Sequence, residues 1–151
     1  MEILISNSQM LSEIDWSDLQ VKATRTLEEL GFSECAVLSL AIVSREEMRR
    51  LNGQYRGIDR PTNVLSFSQR EGDVVGDTDH ALLGDVVICA DVARDQANEL
   101  GYTLQEMVTY LMIHGIMHLR GQHHNDVTQE RIMSERVNEL FETFYPYKQV
   151  F

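Results

Sequence analysis

The sequence predicts an α+β fold: a single domain in which a small, mostly four-stranded sheet is packed with about five helices. Two observations predict it. Four short stretches rich in β-formers (1–6, 35–43, 64–68 and 82–90) are interspersed with, and then followed by, longer segments of helical periodicity. Length agrees, since 151 residues suit one domain and are too few for two.

The elements follow in order. Residues 1–6 read as a strand. Trp16, Leu19, Ala23, Leu27 and Leu30 recur at helical spacing, and Gly31 is placed to end that helix. Residues 35–43 are short and apolar enough for a buried strand. Ser44 and Glu47 have capping-box spacing for a helix through Leu51, after which a loop from Gly53 to Thr62 leads to a strand at 64–68. The acidic, polar stretch 69–80 reads as a mobile loop, and 82–90 as the fourth strand. Asp91 is a cap for a helix through Leu100, stopped by Gly101. Thr103 and Glu106 form a second capping box, opening a long apolar helix through Val108, Leu111, Met112 and Leu119, with Gly121 as terminator. An amphipathic helix carrying Ile132, Met133, Val137, Leu140, Phe141 and Phe144 closes the chain before Pro146.

Composition narrows the function classes. Hydrophobic residues at 43% and charged residues at 25% are globular proportions. No apolar run approaches the roughly 20 residues of a membrane span, and the N-terminus lacks the features of a signal peptide, so a cytoplasmic protein without membrane partners is expected. Cys35 and Cys89 form no CxxC and indicate no disulfide framework. With 13 basic and 24 acidic side chains the net charge is −11, which argues against whole-surface affinity for RNA or DNA. Residues 45–70 differ: Arg45, Arg49, Arg50, Arg56, Arg60 and Arg70 face only Glu46, Glu47 and Asp59, a local net of +3. That segment is either an anion-binding strip or a set of solvated arginines.

Four of the five histidines fall between 114 and 124. His114 and His118 stand four apart on the apolar helix, which stacks them on one face within reach of a single metal ion. Past Gly121 the chain can turn back to deliver His124 (or His123) as a third ligand. Three imidazoles with an open fourth position suit a catalytic Zn²⁺; a structural zinc closes its shell with four protein ligands, often cysteine. Core histidines are the bland alternative, and it fits a lone histidine better than this pattern. The peptidase motif HExxH is absent, because Gly115 stands where its glutamate would. A glycine here costs about 1 kcal/mol of helix propensity, so it is expected to make room, either for a substrate or for a close packing contact.

The stretch His114-Gly115-Ile116-Met117-His118-Leu119-Arg120-Gly121-Gln122-His123-His124 resembles the HGxxHLxGxxH signature of the YbeY family, bacterial metal-dependent endoribonucleases of ribosomal RNA maturation. Leu51-Asn52, Arg56, Pro61-Thr62-Asn63-Val64-Leu65-Ser66-Phe67 and Leu83-Gly84-Asp85-Val86-Val87-Ile88 agree with the same family. Where the family commonly has Tyr-Asp before the third histidine, this chain has Gln122-His123. The resemblance implies one zinc ion on His114, His118 and His124, with Arg56 and His114 as catalytic residues. It also implies single-strand-specific cleavage in small-subunit rRNA 3′ end processing and ribosome quality control. The expected partners are ribosomal RNA, the small ribosomal subunit and ribosome-associated proteins, with no DNA. Asp85 either helps hold the sheet near the site or serves a strand-end turn. Two other readings compete: a non-catalytic ribosome-assembly factor with a structural zinc, and a zinc hydrolase of another small substrate. No side chain is identified as general base.

Overall fold

The computed structural model describes residues 1–7, 9, 11–69, 82–120 and 126–148. Within them the chain runs β1 (Glu2–Asn7), α1 (Trp16–Glu29), β2 (Val37–Val43), α2 (Arg45–Arg56), β3 (Val64–Ser68), β4 (Leu82–Cys89), α3 (Ala90–Leu100), α4 (Leu104–Leu119) and α5 (Val127–Phe144). Residues 70–80 of the stretch read as a mobile loop and the terminator Gly121 lie outside the described residues, while the backbone N–H of Gln69 donates to the Leu83 carbonyl beside the end of β3.

The four strands form one sheet in the order β1-β2-β4-β3. β1, β2 and β4 are mutually parallel, and β3 joins antiparallel as an edge strand on β4. Parallel neighbours need a crossover rather than a tight turn, and α1 supplies it between β1 and β2. Central β4 reads as an apolar run because both its faces are covered. Leu38, Leu40, Ile42, Val86 and Ile88 enter the main core with α1, α3, α4 and α5. On the other face α2 covers a smaller cluster, where Met48 and Leu51 meet Leu65, Val87 and Cys89. Between Val37 and Leu38 the β2–β4 register slips by one residue, leaving Leu83 as a bulge before Gly84.

Several helix ends match their sequence signals. The Thr103 hydroxyl accepts from the Glu106 N–H while the Glu106 carboxylate accepts from the Thr103 N–H, a complete capping box. Ala at Thr103 removes one half, so Thr103→Ala is expected to lower stability by about 1 kcal/mol, read as a shifted urea midpoint with an unchanged slope. Others differ. Ser44 accepts from the Glu47 N–H, but the Glu47 carboxylate is taken by Arg50, so only half of that box forms. Helix α2 runs past Leu51 through Gly53 and ends only where Gly57 adopts φ 69°, so Arg56 lies in a helical turn and not in a loop. Cys89, not Asp91, is the cap residue of α3; Asp91 sits in the first turn and accepts the backbone N–H of Arg45. Helix α5 begins at Val127, capped by Asp126, and its Ile132 is exposed. Among the described residues no helix is long and apolar enough to cross a membrane.

Candidate metal centre

Helix α4 is apolar almost all round, and such a helix has to be buried on every side. Here it is: of its 16 residues only Gln105, His114 and His118 retain partial exposure. The two histidines therefore mark where the central helix reaches the surface, which core histidines would not do. Their Nε2 atoms are 3.0 Å apart, with ring centroids at 4.7 Å. Two nitrogens bound at 2.0–2.1 Å to one tetrahedral zinc stand about 3.3 Å apart, so the pair is spaced to share an ion with little adjustment. Among the described residues no third His, Cys, Asp or Glu joins them closely enough to complete a metal group. His123 and His124 lie outside the described residues. Cys89 is packed with Met48, Leu65 and Val87 on the α2 face, where burial pushes its thiol pKa up, and Cys35 is exposed in the turn before β2.

Gly115 has a packing reason. A Cβ there would stand 2.6 Å from Val86 Cγ1 and 3.1 Å from Ser66 Oγ, so the helix backbone lies directly on β3 and β4. The room it makes is for the sheet and not for a substrate. Ser66 Oγ also donates to the Gly115 carbonyl at 2.9 Å, fastening the edge strand to the helix one residue after His114. A similar closeness occurs at Gly84, where φ is 144° and a Cβ would collide with the Phe67 carbonyl and approach Leu119 to 3.0 Å.

Arg56 lies on the other side of the sheet, in the last turn of α2. Because β-strand side chains alternate, Ser66 and Val86 face α4 while Phe67, Asp85 and Val87 face α2. Both helices nonetheless finish near the same end of β3: Tyr55 meets Phe67 on one face, and Leu119 reaches Gly84, the partner of Ser68, on the other. Asn52, 1% exposed, works on the loop that follows α2, donating from Nδ2 to the Arg60 carbonyl at 2.8 Å while its Oδ1 meets Arg56 at 3.5 Å. Sequence reasoning assigned Asn52 no role; a polar residue on the inner face of an amphipathic helix was the available signal.

The arginine strip is largely self-neutralised. Arg45 pairs with Asp95, Arg49 with Asp59 and Arg50 with Glu47, all on the surface. Hydrogen bonds from Arg49 and Arg50 hold the Asp59 and Glu47 carboxyls below their ordinary range. Among the described residues Arg56 and Arg60 have no carboxylate partner, while Arg70 lies outside them. The continuous anion-binding strip thus reduces to the end of α2 and its following loop.

A family model described as endoribonuclease YbeY matches residues 4–145. The chain belongs to this family. Curated relatives named endoribonuclease YbeY include those of Pelotomaculum thermopropionicum, 39% identical over 93% of this chain and 95% of the relative, and Syntrophotalea carbinolica, 41% identical over 92% and 93%. The solution structure of TM1509 from Thermotoga maritima is similar in fold, with a TM-score of 0.66 at 25% identity, covering 97% of this chain and 90% of that one. The YbeY motifs meet in space: β3 and the His114–Leu119 end of α4 are joined by the Ser66–Gly115 hydrogen bond, and β4 provides Val86 beneath that glycine.

Proposed function

We propose that this protein is a zinc-dependent endoribonuclease that cuts single-stranded ribosomal RNA, acting in the cytoplasm on the 3′ end of small-subunit rRNA and in ribosome quality control. The observation that carries the metal is the His114–His118 pair, 3.0 Å apart where the C-terminal half of a buried helix reaches the surface, in a chain of the YbeY endoribonuclease family. His114, His118 and His124 would hold one zinc ion, with His123 beside the third ligand. Bound there, zinc supplies a Lewis acid for a phosphoryl oxygen. A site left open to substrate is supported by the placement of Cys89 on the opposite face of the sheet, away from the helix that would otherwise recruit it as a closing ligand.

Arg56 supplies the cationic partner of the phosphate. Its guanidinium is exposed, has no carboxylate on it among the described residues, and keeps only a long contact to Asn52. Its planar donors can take two phosphate oxygens and offset charge that develops during cleavage. Asn52 orients it by holding the helix end and the Arg60 carbonyl together. Arg56→Glu is expected to cut RNA at least about 100-fold more slowly while binding the same amount of zinc. Normal RNA cleavage by that variant would remove Arg56 from the site, and normal turnover of small phosphodiesters alone would point to a different zinc hydrolase.

A further inference from the structure

On the α2 face of the sheet lies a cleft of about 380 Å³ lined by Leu51, Tyr55, Phe67, Gln69, Asp85 and Val87. That volume falls in the range of small-ligand sites. Leu51 and Val87 give it an apolar floor. Tyr55 and Phe67 form an aromatic wall with centroids 4.9 Å apart at 59°, and Tyr55 is 58% exposed, an unusual cost for a large ring. Among the described residues nothing donates to the Asp85 carboxylate, which is only partly exposed. Arg56 and Arg60, the cations of this region without carboxylate partners, follow Tyr55 in the chain.

We propose that this cleft is a nucleobase subsite that takes guanine, with the base against Tyr55 and Phe67, its Watson–Crick edge on Asp85 and the neighbouring phosphates toward Arg56 and Arg60. The proposal rests on the reading of the protein as an RNA enzyme and names which base its substrate presents beside the site. An unstacked base gains from an aromatic surface whatever its identity, so the rings provide affinity. Asp85 provides the choice. A carboxylate only accepts, and among the four bases guanine alone offers two adjacent donors, N1–H and the N2 amino group. Uracil would turn carbonyl oxygens toward the carboxylate on both sides of its single N–H. Adenine and cytosine set a ring acceptor beside their amino group. The neighbouring phosphates lie outside the cleft, toward the arginines that follow Tyr55 at the end of α2.

Anisotropy titration of the zinc-loaded full chain with 2′-O-methyl heptanucleotides tests this, comparing UUUGUUU with UUUUUUU. The wild type is expected to bind the guanine-containing strand about tenfold more tightly. Tyr55→Ala is expected to lose about tenfold on that strand, and Asp85→Asn to erase the preference while leaving the all-uridine affinity within about twofold. Tyr55 is exposed, so its variant keeps the fold and reads the subsite even if Asp85→Asn does not fold. Equal affinity of the wild type for the two strands overturns the proposal. So does a uniform tightening of both strands in Asp85→Asn, which would mark a cleft that merely repels RNA. Because cleavage is assayed separately, a protein that prefers guanine and does not cut retains the subsite and loses the nuclease reading, and one that cuts without preference does the reverse.

Discussion

His118→Ala is expected to release zinc that the wild type retains, with affinity falling by well over 100-fold in competition against a chromophoric chelator. Losing a group that only hydrogen-bonds to a metal ligand costs 10- to 100-fold, and removing a ligand itself costs more. The fold should tolerate it. His118 is one of three partly exposed residues on α4, so the truncation leaves no closed cavity, and alanine is the best helix former. A change in stability of the zinc-free protein within about 1 kcal/mol is expected, measured by urea unfolding with a chelator present. His114→Ala should behave alike, since the two Nε2 atoms converge on the same point. Retention of stoichiometric zinc by either variant would place the ion elsewhere.

Gly84→Ala carries the largest expected loss of stability. The residue sits beside the bulge between β2 and β4 at φ 144°, a conformation costing a side chain about 1–3 kcal/mol. Its Cβ would also run into the Phe67 carbonyl, which belongs to the paired edge strand and cannot swing aside as a side chain would. With overpacking of about 1–3 kcal/mol added, the total is about 2–6 kcal/mol, or a fall in Tm on the order of 10 °C for a domain of this size. Relief of the clash would have to push β3 or the end of α4 outward, since Leu119 stands on the other side at 3.0 Å. The variant should therefore weaken zinc binding as well as stability, and thermal unfolding with and without zinc measures both. A Tm within 2 °C of wild type would contradict the account of this bulge.

The central helix was legible because its signals are local and agree. A capping box at Thr103 and Glu106, an apolar run with no polar face and histidines four apart all lie within one continuous stretch. Strand existence was legible for the same reason, but strand order was not: nothing within 82–89 says that this strand sits between β2 and β3, because pairing depends on contacts far apart in sequence. Helix α2 was read too short because Gly53 resembles a breaker, whereas packing of Met48 on the sheet and of Asn52 on the following loop carries the helix through it. The reason for Gly115 was hidden in Val86 and Ser66, 29 and 49 residues away, which only the folded sheet brings beneath it. The charge of the arginine segment was legible, but the choice between its two readings was not, since Asp95 reaches Arg45 across a fold that composition cannot show. Of the predicted ligand set, His114 and His118 come together as their spacing requires, while the third position lies outside the described residues.

In the proposed function, zinc held by the α4 histidines takes part directly in cutting RNA. The most direct test is cleavage of a ribosomal RNA precursor fragment by the zinc-loaded protein beside His118→Ala purified identically, so that a contaminating nuclease would show in both. Defined cuts by the wild type and none by the variant are expected. Equal cutting by both, or no cutting by a wild type that holds its zinc, would contradict that function.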